Sequence, residues 1–368
     1  MFLTPFLEEL VKRKASDLHL KMGVPPTLRV DGELTMLDVA RPTAEQMEQA
    51  AAEILTPSQK KEYDETSEVD FAFGVPGLAR FRANFYKQRG STAMVFRLIP
   101  FDPPRIEDLA LPPAVRELAL RHRGLVLVTG TVGSGKSTTL AAMVRVINDN
   151  LRRNIITIED PIEFLHRDNK SLISQREVGS DTDSFPVALR HILRQDPDVI
   201  LVGEIRDQLT MSIALTAANT GHLVLSTLHT IDAAQAVNRI ISFFPPHQHQ
   251  EVRFLMSTCL EAIISMRLVP RADGQGRVPA VEVMIATGTV KEYLADAGRT
   301  HLIKNVIEES TTEYGMQSFD QSLLSWYNKG VITLDDALRF ASSPTALQIK
   351  AKGIQTGSDA TWAPFEMT

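Results

Sequence analysis

Gly130-Thr131-Val132-Gly133-Ser134-Gly135-Lys136-Ser137 follows the apolar run from Leu125 to Thr129 and precedes a helical stretch. The octapeptide matches G-x-x-x-x-G-K-[ST], and a strand before it with a helix after it is the context in which that pattern holds phosphate. Its glycines let backbone N–H groups close on phosphate oxygens, and the helix amino terminus adds positive potential. Lys136 reaches the β- and γ-phosphates, and Ser137 can ligate Mg²⁺. Gly130 to Ser137, with Thr138 after them, are therefore the expected nucleotide-binding residues, and ATP with Mg²⁺ the expected ligands. The competing reading is a glycine-rich strand-to-helix turn with no ligand.

Working outward, the apolar segments Leu125 to Thr129, Ile155 to Ile158, Val199 to Val202 and Leu223 to Ser226 alternate with helical stretches. Strands that are apolar on both faces belong to a mostly parallel sheet covered by helices on either side. In outline this is a RecA-like α/β core. Acids stand where such a sheet presents ligand-facing loops: Glu159, Asp160 and Glu163 after the second strand, and Glu204 after the third. One of the first group can orient an attacking water, or all three can form a solvated acidic turn. Glu204 suits a Walker B acid that organises Mg²⁺, although Gly203 fills the place just after the apolar run; pairing with Arg206 is the alternative. His222 and His229 flank the fourth strand. His229 lies beyond its carboxyl end, nearer the nucleotide, whereas His222 by itself reads as a structural residue. His247 and His249 lack the companions of a metal site.

The amino-terminal region has a different grammar. Phe2, Phe6, Leu7, Leu10 and Val11 share a helical face, and Ser16 to Leu20 reads as a strand. Asp31-Gly32 suits a hairpin turn, and Thr43 with Gln46 a capping box. From Val69 to Leu98 the chain alternates, with Arg80 and Arg82 on one strand face and Phe81, Ala83 and Phe85 on the other. A small α+β domain is expected to end near Ile99. Prolines 100, 103, 104, 112 and 113 then stiffen a connector. Beyond Leu268 a hairpin containing Val278 to Ile285 leads to short helices, one begun by Thr333, and the last fifteen or so residues carry no periodic pattern.

Composition narrows the function. With 368 residues, 43% of them hydrophobic, the chain can bury a sizeable core. Acids outnumber bases 45 to 39, for a net charge of −6, so there is no general positive field to hold a nucleic acid. The single cysteine, Cys259, suits a reducing compartment and reads as a small buried apolar residue. Neither a secretory signal nor a membrane-spanning run is present in the sequence, so contact with a membrane is expected through a partner.

In combination the motifs resemble the PilT/PilU family of type IV pilus retraction ATPases, within the wider secretion-ATPase superfamily. The likeness covers nearly the whole chain and includes Ser16-Asp17-Leu18-His19-Leu20, Gly23-Val24-Pro25-Pro26, Arg80-Phe81-Arg82, Gln88-Arg89, Val95-Phe96-Arg97 and the P-loop. Ile158-Glu159-Asp160-Pro161-Ile162-Glu163-Phe164, Gln175-Arg176-Glu177-Val178, the run Asp198 to Asp207, and Thr227-Leu228-His229 complete it. The resemblance implies a PAS-like domain over residues 1–99, a linker over 100–113, and a RecA-like ATPase domain with C-terminal helices over 114–368. It implies a homohexamer at the cytoplasmic face of the inner membrane, joined to a pilus platform protein and not itself inserted.

Residue by residue, the resemblance makes Glu163 the general base, Glu204 the Walker B glutamate, and His222 with His229 a His box that senses nucleotide state. Arg82 and Arg97, with Arg80 beside them, match arginines that approach the nucleotide in the ring. The stretches Thr312 to Leu323 and Ile332 to Phe340 look more like PilU than PilT, and the Ala-Ile-Arg type helix of PilT is replaced around Gly298 to Ile303. This implies an accessory retraction ATPase that works with a paralogue. The competing functions are a RecA-like nucleic-acid translocase, which the charge balance disfavours, and a nucleotide-responsive regulator that does not hydrolyse, which an intact Glu163 and Glu204 disfavour.

Overall fold

The computed structural model describes residues 2–30, 32–310 and 315–353. Asp31 of the expected hairpin turn, residues 312–314 of the C-terminal resemblance and the final aperiodic stretch lie outside the described residues. The chain forms two compact units: one from the described residues up to Asp102 together with Glu163–Leu165, the other from Pro103–Ile162 and the described residues from His166 onward.

The first unit runs α1 (Thr4–Lys12), β1 (Asp17–Lys21), β2 (Thr27–Val30), β3 (Glu33–Met36), α2 (Ala44–Ile54), α3 (Pro57–Thr66), β4 (Glu68–Val75), β5 (Ala79–Gln88) and β6 (Ser91–Ile99). The strands make one sheet in the order β3-β2-β1-β6-β5-β4, antiparallel throughout. Period-two alternation decides its faces. Phe81, Ala83 and Phe85 of β5 are buried with Phe96 of β6, and against them pack Leu3, Leu7 and Leu10 from the α1 region and Met47 of α2. Phe85 and Phe96 meet edge to face at 5.7 Å. Thr43 and Gln46 form the capping box that starts α2. Val30 pairs with Glu33 across the hairpin, where Gly32 takes φ +89°, a value an L side chain resists.

The second unit contains α4 (Pro113–Ala119), β7 (Gly124–Thr129), α5 (Lys136–Asn150), β8 (Asn154–Glu159), β9 (Leu172–Glu177), α6 (Phe185–Ile192), β10 (Val199–Val202), α7 (Gln208–Asn219) and β11 (Leu223–Leu228). It continues with α8 (Ala233–Ser242), α9 (His249–Cys259), β12 (Leu260–Pro270), β13 (Arg277–Ile285), α10 (Gly288–Ala295), α11 (Ile303–Glu309), α12 (Phe319–Asn328), α13 (Leu334–Phe340) and α14 (Pro344–Ala351). The sheet order is β13-β12-β7-β11-β10-β8-β9, parallel except for the β12/β13 hairpin. Leu125 and Leu127 of β7 join one core cluster while Val126 and Val128 join the other, which is why this strand is apolar at every position from Leu125 to Val128.

Two strands carried no clear local signal. β12 follows α9 directly, with Leu260 as both the helix cap and the first strand residue, so no turn residue announces it. β9 lies at the sheet edge, and its Leu-Ile-Ser-Gln-Arg-Glu, exposed or half-buried up to Arg176, has no apolar run. The C-terminal helices pack against β13: Trp326 Nε1 donates to the Pro279 carbonyl at 2.8 Å, and Asp320 accepts the backbone N–H groups of Ser342 and Ser343 at 2.6 and 2.9 Å. Thr333 caps α13 through the Asp336 N–H. Cys259 is buried, and desolvation pushes its thiol up to about 12, as suits an inert packing residue. Among the described residues no helix is long and apolar enough to cross a membrane.

Candidate functional site

The P-loop bridges the end of β7 and the start of α5 in the geometry its glycines allow. Gly130, Gly133 and Gly135 take φ of +146°, +75° and +97°. A Cβ on Gly130 would fall 2.4 Å from Ser134 Oγ and 2.6 Å from the Met266 carbonyl, so β12 presses on the loop from below and only glycine fits. Lys136, 8% exposed, donates from Nζ to the carbonyls of Gly130 and Thr131, both at 2.9 Å, which holds the ammonium inside the turn. Ser134 Oγ is buried without a hydrogen-bond partner, and α5 begins at Gly135 with no side-chain cap. A buried cation, an unsatisfied hydroxyl and an uncapped helix amino terminus together fit a phosphate group.

Register then decides which acid stands near this loop. β11 pairs with β7 from Leu223↔Gly124 to Leu228↔Thr129, so His229 emerges at the level of Gly130. On the far side of β11, β10 ends opposite Ser226 and delivers Glu204 to the same edge. His229 Nε2 lies 3.3 Å from Glu204 Oε2, and Arg206 donates to Glu204 Oε1 at 2.6 Å. The expected Arg206 partner of Glu204 is thus present together with His229, and its carboxylate, 13% exposed, is held between an exposed guanidinium and a half-exposed imidazole. The turn bearing it is pinned by β11: Ser226 Oγ donates to the Val202 carbonyl, Thr227 Oγ1 donates to the Gly203 carbonyl, both at 2.7 Å, and Ile205 N–H donates to the Thr227 carbonyl. The unexpected Gly203 has a packing reason, because a Cβ there would lie 3.3 Å from both the Glu159 Cα and the Ile158 carbonyl of β8.

His222 is not brought to the P-loop of its own chain. It precedes β11 at the amino edge of the sheet, where its carbonyl accepts the Gly124 N–H, and seven steps of strand separate it from His229 by roughly 20 Å. Its Nδ1–H donates to the Ala217 carbonyl at 2.9 Å, closing the end of α7. Within its own chain His222 thus closes the end of α7 at the sheet edge away from the P-loop. Glu159 accepts from Thr157 Oγ1 at 2.7 Å and from Gln175 Nε2 at 3.1 Å, so β8 and β9 engage it. Glu163 is exposed, and its segment groups with the first unit, where Leu165 N–H donates to the Pro100 carbonyl.

In the first unit Arg82 and Arg97 are cross-strand partners, and Asp17 faces Arg97 from β1. Arg97 Nε donates to the buried Asp17 at 2.9 Å while its own side chain stays 66% exposed. Arg82 lies 3.9 Å from Asp70. The solvent face of this sheet therefore carries paired charges, with one arginine anchored by a buried carboxylate.

Sequence reasoning missed Glu282. It is 5% exposed on β13 and accepts the Ala233 N–H at 2.9 Å. It lies in the expected hairpin from Val278 to Ile285, as a lone acid in a strand that is buried from Val278 to Met284. Burial raises its carboxyl to about 7 and Asp232 adds to that, against the Ala233 N–H, Arg267 and Lys304, which lower it. Because the folded carboxyl binds its proton more tightly than the unfolded one, unfolding releases a proton between about pH 4.5 and 7, and stability falls through that window. Glu282→Gln should remove this fall, so that its melting temperature relative to wild type rises between pH 5 and pH 8. The difference corresponds to on the order of 3 kcal/mol at 1.36 kcal/mol per pKa unit. A pH-independent offset would show that Glu282 titrates near its ordinary value.

A family model described as Type II/IV secretion system protein matches residues 1–329. The chain is 42% identical over 354 residues to the type IV pilus ATPase PilU of Pseudomonas aeruginosa, covering 96% of this chain and 92% of that protein. It is 42% identical over 344 residues to the type IV pilus retraction ATPase PilT of the same species, covering 94% and 99%. It also matches the crystal structure of the pilus retraction motor PilT with bound ADP, at a TM-score of 0.86 and 42% identity over 95% of this chain and 98% of that one.

Proposed function

Because the chain belongs to the Type II/IV secretion system protein family, we propose that it is an ATPase motor that powers type IV pilus retraction and so twitching motility. The observation that carries this reading is a P-loop lysine held inside its own turn, with the Glu204–His229 pair at the same edge of the same parallel sheet. A nucleic-acid translocase is not supported: the near-full-length relatives are pilus ATPases, and a net charge of −6 offers no field for a nucleic acid backbone.

In this reading residues 1–99 form a PAS-like domain, 100–113 a linker, and 114–368 a RecA-like ATPase domain with a helical extension. Residues 130–138 bind the nucleotide, with the Lys136 ammonium on the β/γ-phosphate oxygens. Glu163 accepts the proton of the attacking water, and His229 reports nucleotide state to Glu204. Ser137 and Glu204 would hold Mg²⁺, which when bound neutralises charge on the phosphate oxygens. Six copies form a ring in which Arg82 and Arg97 of one protomer approach the nucleotide of the next, and His222 serves the sheet edge far from its own P-loop. Identity to PilU and PilT is equal, so the narrower reading rests on the C-terminal sequence around Phe319 to Leu323 and Ile332 to Phe340. That reading is an accessory motor acting beside a paralogue, on an inner-membrane platform protein, from the cytoplasmic side.

The direct test is Glu163→Gln. The amide keeps the shape and loses the base, so ATP should bind with little change while steady-state hydrolysis drops by about a hundredfold or more. Cells carrying it as their sole copy should show impaired pilus retraction. A purified Glu163→Gln protein that hydrolyses ATP at the wild-type rate would remove Glu163 from the mechanism.

A further inference from the structure

Between His229 at the end of β11 and Ala233 at the start of α8 lie three residues, and the sheet offers them little. Thr230 Oγ1 is buried without a hydrogen-bond partner, Ile231 is exposed, and Asp232 spends its carboxylate on capping α8 through the Gln235 N–H at 2.7 Å. What ties this loop to the sheet is Glu282 Oε1 accepting the Ala233 N–H at 2.9 Å, a contact across 49 positions of chain. Both residues are buried. A helix-terminal N–H met by a buried carboxylate fixes the height and direction of the helix start, and so the reach of a side chain four residues before it.

Glu282 is itself held from several sides. Across the hairpin it faces Ser265, whose Oγ accepts from Thr129 Oγ1 at 2.8 Å, and Thr129 is the last residue of β7 before the P-loop. Arg267 of β12, stacked 3.7 Å over Phe319 of α12 and donating to the Phe340 carbonyl, Lys304 of α11 and Asp232 before α8 are the charged groups that act on it. One hairpin thus touches the root of the P-loop through Ser265 and the loop after His229 through Glu282.

We propose that Glu282 is a positioning residue for ATP hydrolysis, holding the first N–H of α8 so that the loop from His229 to Asp232 keeps the imidazole on Glu204. This rests on the ATPase reading above. It adds a residue that touches neither nucleotide nor metal and acts through the α8 terminus.

The test uses the full-length protein with Glu282→Ala, Glu282→Gln, Ala233→Pro, His229→Ala, the Glu282→Ala/His229→Ala double variant and Lys136→Ala. Ala233→Pro removes the donor and leaves Glu282 in place. Proline is tolerated at the first helical position, and Asp232 already has the extended backbone (φ −155°, ψ 170°) that a following proline requires. It therefore carries the test if Glu282→Ala does not fold. Hydrogen exchange should quicken over residues 229–236 in Glu282→Ala or Ala233→Pro, with β11 unchanged. In both, kcat should fall by about tenfold while KM stays within about twofold, and Glu282→Gln, which keeps an acceptor oxygen, should recover most of the rate. In the His229→Ala background, Glu282→Ala should cost less than about twofold more, because both changes break one linkage. Unchanged exchange, an unchanged kcat, or two effects that multiply in the double variant would overturn the proposal. If Lys136→Ala hydrolyses as fast as wild type, the ATPase reading itself has failed. A slow Lys136→Ala beside a fast Glu282→Ala defeats the positioning role alone.

Discussion

Lys136→Ala should lose ATP turnover by at least about a hundredfold while the protein stays folded. The ammonium sits at the bottom of a loop closed by three glycines in left-handed conformations, where it already bonds the carbonyls of Gly130 and Thr131. A γ-phosphoryl group in transfer spreads negative charge over its oxygens, and a fixed, desolvated cation opposite that charge contributes more to the transition state than to the bound substrate. Removing it empties a small buried volume at the first turn of α5, but it leaves the helix core from Leu140 to Ile147 untouched, so the melting temperature should change little. Steady-state hydrolysis beside a thermal melt checks both parts. Wild-type turnover in a folded Lys136→Ala protein would sink the motor assignment.

The second large effect concerns mixed rings. Arg97→Ala and Glu163→Gln should each be slow alone, and a mixture of the two should recover activity. Arg97 stands on β6 with most of its guanidinium in solvent, although Nε is anchored on the buried Asp17. An arginine held by one nitrogen and open at the others is preorganised to meet a phosphate oxygen. If a neighbour's nucleotide is what it meets, an interface between the Glu163→Gln chain's intact Arg97 and the Arg97→Ala chain's intact pocket is whole. An arginine finger contributes about three to five powers of ten, so a minority of repaired interfaces should stand well above either parent. Subunit exchange must be verified by mass or by labelled pairs. Because Arg97→Ala also strips Asp17 of its guanidinium, its melting temperature must be followed as well. With exchange verified, a mixture no faster than the mean of its parents would assign Arg97 to its own chain or to the Asp17 contact alone.

Much of the architecture was legible because it is written locally. The glycine spacing of the P-loop, the capping box at Thr43 and Gln46, the alternation of β5 and the mostly apolar runs of β7, β8, β10 and β11 each depend on residues within a few positions of one another. Backbone sterics and burial period act over that range. β12 escaped notice because a helix cap and a strand start coincide at Leu260, and β9 because an edge strand needs no apolar run.

The site divides along the same line. From sequence alone came the phosphate loop, its lysine and its serine, and the fact that acids and histidines stand at strand ends. Tertiary structure decided which of them meet. Sheet order places β10 and β11 side by side, so Glu204 and His229, 25 positions apart, share a contact, while His222, seven residues from His229, is carried to the opposite edge. The same order lets Gly203 pass close to β8, lets Asp17 anchor Arg97 across 80 positions, and sets Glu282 beneath the start of α8. A local conformation is chosen by the few dihedrals and side chains that build it, whereas a polar pair across a sheet depends on strand order and register, which the whole core selects together.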